Sequence, residues 1–116
     1  MSDHDEKITL RQLLDYSREA VNWVAGRDES ELESDRLLYL AVTRLLTIIG
    51  EAATRVSADR RKELSQIPWR QMIGLRNILI HVYDMVDNPT LWIILTRDLP
   101  LLVDQLEPLV PPEETE

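Results

Sequence analysis

One stretch of this chain gathers groups able to act on a substrate: Arg76-Asn77-Ile78-Leu79-Ile80-His81-Val82-Tyr83-Asp84. It offers a permanent cation, an amide, an imidazole that titrates near neutrality and a phenol. The set suits phosphate chemistry. Arginine binds phosphate through two parallel hydrogen bonds and can stabilise charge building up on a phosphorane. Imidazole can move a proton to or from a hydroxyl. Together they could cleave RNA without a metal: the 2′-hydroxyl attacks the adjacent phosphate, assisted by His81, while Arg76 holds the charge. Spacing imposes a condition. Arg76 and Tyr83 are seven apart and share one face of a continuous helix, but His81 stands five from Arg76, about 140° around it. For both to reach one substrate, the helix must end or distort near His81, or a second copy must complete the site. An arginine and a histidine at a helix end also serve plainer purposes, complementing the helix dipole or joining a surface salt bridge. The spacing is compatible with either use.

Other chemistries lack their residues. There is no glycine-rich phosphate loop, no zincin histidine pair and no nucleophile elbow. The absence of Cys removes disulfides, thiolate metal sites and Cys nucleophiles together. With His4 and His81 the only histidines, no His-based metal site and no cofactor are expected, although carboxylates could hold a hard cation weakly.

The elements that must position the cluster follow from pattern. A chain of 116 residues is one domain's length, and 44% hydrophobic with 29% charged is a globular mixture. Three Gly and 5% aromatic residues, against abundant Leu, Ile, Ala, Arg and Glu, point to an all-α fold. A first helix is expected from near Thr9, which has capping-box spacing with Gln12. Its apolar stripe runs through Leu10, Leu13, Leu14, Ala20, Val21 and Val24 to a terminating Gly26. Ser30 and Glu33 repeat the capping spacing before a second helix over about residues 31–57. Residues 59–64 suggest one further turn. Pro68 suits the first position of a third helix running from Trp69 to about His81 or Val82. Asn88-Pro89 opens a fourth from about Thr90 to Glu107, which Pro100 should kink or break. The expectation is an up-down four-helix bundle over residues 8–107, with flexible acidic ends at 1–7 and 108–116.

The net charge of -8 argues against broad, charge-driven binding to nucleic acid or anionic membrane, while allowing a local basic site. No apolar run approaches the ~18 residues of a membrane span, since Arg44 interrupts the best candidate. The polar, acidic start is unlike a signal peptide, so a soluble cytoplasmic protein is expected.

The string Arg76 to Tyr83 resembles the signature of the HEPN superfamily: Arg, a polar residue, three variable positions, His. With Tyr83 it is similar to the HepT-like toxin branch. Ile49-Gly50-Glu51-Ala52, Ile67-Pro68-Trp69-Arg70, Gly74-Leu75 and Asp98-Leu99-Pro100 support the likeness, which covers about residues 8–107. The resemblance implies a HEPN-like helical bundle and a metal-independent ribonuclease toxin. It also implies a homodimer, with the motifs of two subunits facing across a shared cleft. By that likeness Arg76 and His81 are the catalytic pair and Asn77 supports them. Tyr83 matches the tyrosine that a cognate minimal nucleotidyltransferase antitoxin modifies with AMP, adding bulk and negative charge where RNA phosphate must bind.

Around this core, Glu51 could orient Arg76 through a charge-assisted hydrogen bond or be an ordinary surface carboxylate. Arg60, Arg61, Lys62 and Arg70 could supply RNA-phosphate contacts or form a solvated surface. Gly50 could serve close helix packing or substrate approach. Trp69 and Trp92 are expected as core or dimer contacts. The principal alternative to the toxin is a non-catalytic nucleotide- or partner-binding subunit of a nucleotidyltransferase complex; a plain helical dimerisation module is a third reading.

Overall fold

The computed structural model describes residues 3–77 and 88–112, and within them every regular element is helical. Helix α1 spans Asp3–Val24, α2 Glu31–Ser34, α3 Arg36–Thr54, α4 Ala58–Glu63 and α5 Trp69–Gly74. A 3-10 turn at Leu75–Asn77 extends α5. After residues 78–87 come α6 (Asn88–Ile93), a π-helical turn (Ile94–Asp98), α7 (Leu99–Leu106) and a 3-10 turn (Glu107–Leu109).

The first helix starts six residues before the expected Thr9 cap. Thr9 sits inside it, with its hydroxyl donating to the Asp5 carbonyl at 3.0 Å, so the capping-box spacing there has no capping role. The apolar stripe is real: Leu10, Leu13, Leu14, Ala20 and Val24 are buried. Gly26 ends the helix with φ +73°, the left-handed conformation that glycine adopts without steric cost.

The expected second helix is two. Asp35 is extended (φ -113°, ψ 97°) and breaks the chain between α2 and α3; its carboxylate accepts from the Leu38 amide at 3.1 Å. That bond, more than any other contact, holds the Asp35 carboxyl below the usual carboxylate range. Ser30, by contrast, makes no cap bond. The turn is organised one step earlier: Asp28 accepts from the Ser30 amide, and Glu31 accepts from the Asp28 amide, each at 2.8 Å. The second helix also ends earlier than expected. It stops at Thr54, and Ser57 then caps α4, accepting from the Arg60 amide at 3.2 Å while donating to the buried Glu6 at 2.8 Å.

Helix α3 is the central element, packed on α1, α2 and α5. Its buried Thr43 and Thr47 satisfy their hydroxyls on the carbonyls of Tyr39 and Thr43. Taken alone, α3 is long and apolar enough to cross a membrane, which corrects the expectation that Arg44 keeps every segment below that length. Here 56% of that window is buried inside the protein.

Pro68 stands at the cap of α5, one place before the helical position expected for it. In the last helix the disturbance precedes Pro100. Proline has no amide hydrogen to donate to the carbonyl four residues back, and the chain widens into a π turn there, with the Leu99 amide reaching the Ile94 carbonyl. The widened turn still keeps Leu91, Leu95, Leu99, Leu102 and Leu106 in the core. Beyond it Val110 is buried, and Arg11 donates to the Pro111 carbonyl.

Candidate active site

The approach to the Arg76 cluster is built by Leu64 to Trp69. The indole of Trp69 donates to the Leu64 carbonyl at 3.0 Å, and the Trp69 amide bonds the Ile67 carbonyl at 2.9 Å. Trp69 and Met72, three apart, bury one face of α5, and α5 packs on α3. Trp69 is therefore a core anchor, and half-buried Trp92 packs against the same core.

The chain then passes α3 at Gly50. A Cβ built on this glycine would lie 2.3 Å from the Arg76 amide nitrogen and 2.9 Å from its Cα, far inside contact distance. Close approach of backbone to backbone is thus the role of Gly50, in place of substrate contact. The seat is also where α5 tightens into its 3-10 turn, so the helix distorts at Leu75–Asn77, before His81 is reached. Arg76 and Asn77 are exposed. Among the described residues the Arg76 side chain makes no hydrogen bond or ion pair; its backbone is seated against Gly50 and its guanidinium is open to solvent.

Glu51 follows Gly50 but is not joined to Arg76. It is exposed, and its carbonyl accepts from the Thr54 hydroxyl. The four other cations divide. Arg60 bonds Glu63 at 2.8 Å. Arg61 donates its Nε hydrogen to the Val56 carbonyl at 3.0 Å. Lys62 and Arg70 are exposed and have no partner among the described residues. His81 and Tyr83 lie outside the described residues, and His4 sits in the first turn of α1. No group of three or more His, Cys, Asp or Glu able to hold a metal ion occurs among the described residues.

Two features of this region were not read from the sequence. One is the hold of Ser57 on Glu6, for which only the cap spacing to Arg60 gave a signal. The other is the apolar floor of Ile67, Pro68 and Ile73 between Lys62 and Arg70, which needs the loop to fold back.

The chain was compared with known proteins. It is 36% identical over 107 residues to "Putative RNase MJ1380" of Methanocaldococcus jannaschii, covering 92% of this chain and 98% of that one. It is 30% identical over 110 residues to "Putative RNase MJ0125" of the same organism, covering 95% of each. With "Probable ribonuclease HepT" of Thermococcus cleftensis it shares 40% over 75 residues, 65% of this chain and 68% of that one. No solved structure matches significantly. The sequence profile described as ribonuclease HepT-like matches residues 10–109, nearly all of the described fold including Gly50 and the Arg76 cluster, and the chain belongs to that family.

Proposed function

We propose that the protein is a metal-independent endoribonuclease, the toxin of a toxin-antitoxin pair. Its catalytic groups are Arg76 and His81, with Asn77 in support. The observation that carries this is Arg76 itself. Its backbone is seated against Gly50, while its guanidinium is exposed and has no partner among the described residues, in a chain of the HepT-like ribonuclease family. A structural arginine at a helix end would be engaged with a carboxylate or a carbonyl; this one is available to a phosphate.

In the proposed reaction His81 takes the proton of the RNA 2′-hydroxyl, whose oxygen attacks the adjacent phosphorus. The bond to the 5′-oxygen breaks and that oxygen leaves with a proton, giving a 2′,3′-cyclic phosphate and a 5′-hydroxyl. Arg76 stabilises the charge on the phosphoryl oxygens. Two chains form the working cleft as a homodimer in the cytoplasm. A nucleotidyltransferase antitoxin silences it by moving AMP onto the Tyr83 oxygen, with release of pyrophosphate from ATP.

The test is RNA cleavage by the purified protein in excess EDTA, beside Arg76→Ala and His81→Ala. Cleavage that survives chelation, ends in cyclic phosphate and disappears in both variants supports the reading. Equal activity in the variants, or no cleavage of any RNA by the unmodified folded dimer, overturns it; the second outcome favours a binding subunit.

A further inference from the structure

An open groove of about 840 Å³ lies between α4 and α5, beside the segment that carries Arg76. Arg61 and Lys62 line it from α4 and Arg70 from α5, while Ile67, Pro68 and Ile73 supply apolar surface between them. Among the described residues no carboxylate lines it. That is unusual for this chain. Residues 58–77 hold five of the 13 basic residues but only two of the 21 acidic ones, Asp59 and Glu63, a local charge of +3 where the whole chain carries -8. Both acids line a different pocket, together with Arg60 and Glu6.

The walls are held in place by interactions that leave the cations available. The Trp69 indole closes the loop onto the Leu64 carbonyl, and Gln105 of α7 donates to the Gln66 carbonyl at 3.0 Å. Arg61, which lines the groove, is fixed through its Nε hydrogen on Val56, and its terminal nitrogens have no partner among the described residues. Lys62 and Arg70 are unpaired among the described residues.

We infer that this groove is a binding track for single-stranded RNA, holding the backbone that flanks the scissile phosphate. Arg61, Lys62 and Arg70 take successive phosphates, and Pro68 and Ile73 receive the faces of unstacked bases. The inference rests on the ribonuclease reading and deepens it. Arg60, tied to Glu63 on the other side of α4, is excluded from the track. Proteins that hold single strands without sequence preference pair a basic groove along the backbone with surface on which bases stack, commonly aromatic; here Pro68 and Ile73 take that place. With three cations and no carboxylate among the described residues that line the track, its local field is attractive in a chain whose overall charge repels nucleic acid.

The test is equilibrium binding of a labelled 2′-O-methyl oligonucleotide, which cannot be cleaved, to the full chain across a salt series. Each phosphate contact on a single strand contributes about -0.7 to the slope of log K against log salt. Lys62→Ala/Arg70→Ala should weaken binding at low salt at least tenfold and flatten the slope by about 1.4. The control is Arg18→Ala/Arg97→Ala, which removes the same charge from exposed sites outside the groove and should leave the slope in place. Equal flattening in both double variants would show net charge acting alone and overturn the track. So would an unchanged slope in Lys62→Ala/Arg70→Ala, or no binding by the wild type. A wild type that binds with the expected slope but cleaves no unmodified RNA sinks the nuclease reading and leaves the track standing.

Discussion

Two charged segments of this molecule use their charge in opposite ways. From Arg27 to Asp35 four of the six charged side chains are engaged locally. Arg27 bonds Asp35 at 3.0 Å and approaches Glu31 at 3.6 Å. Asp28 takes the Ser30 amide and hydroxyl, which together hold its carboxyl below the usual range. Asp35 caps α3. These groups shape a turn. From Ala58 to Asn77 the engagement is partial: Arg60 and Arg61 are held, but Lys62, Arg70 and Arg76 have no partner among the described residues. A cation kept free on a braced backbone is of little use to stability, since exposed pairs contribute only about 0–1 kcal/mol in any case. It is of use to a ligand. The difference teaches that here function is marked by which charges the fold leaves unsatisfied.

The comparison can be broken most sharply at Arg76. Arg76→Ala should lower the cleavage rate by about 10²–10³-fold, the cost of removing one preorganised charge stabiliser. The melting temperature should hardly move, because among the described residues the guanidinium has no hydrogen-bond or ion-pair partner. A large loss of thermal stability with activity retained would place Arg76 with the structural charges of the Arg27 turn.

Gly50→Ala comes next. On an unobstructed helix this change gains up to ~1 kcal/mol. Here the new methyl meets the Arg76 backbone, so we expect a net loss of about 1–3 kcal/mol in urea unfolding, with cleavage falling as the arginine is displaced. A stabilised, fully active Gly50→Ala protein would refute the close seat.

Ser57→Ala tests the brace of the basic segment. It removes the α4 cap and the donor to buried Glu6, and should destabilise by about 1 kcal/mol in the same assay. The smallest effect belongs to the acidic turn. Asp35→Ala should lower the melting temperature at neutral pH. Because the folded-state carboxyl is held below its unfolded value of ~3.9, its contribution is present above that pH and is lost as pH falls through the lower folded value. The gap between wild type and variant should therefore narrow below about pH 4. A gap independent of pH would show that the charge of Asp35 plays no part in the cap.

The residue pattern alone carried the helical class, the buried stripe of α1, the stop at Gly26 and the short helix after Ser57, since periodicity, capping and glycine conformation are local properties. The Arg76 cluster and its family were legible for the same reason, as consecutive residues. Misreadings arose where one local signal competed with another. Thr9 has cap spacing but lies within a helix that continues to Asp3, and Asp35 breaks a stripe that reads as continuous. Pro100 marks the disturbance, which takes the form of a π turn that keeps the leucines on both sides of it buried. What only the tertiary structure decided is long-range. It brought Gly50 against Arg76, turned Arg60 away from Arg61 and Lys62, and set Arg70 across a groove from them. Such outcomes depend on which backbone meets which across the core, and residue spacing along the chain carries no record of that.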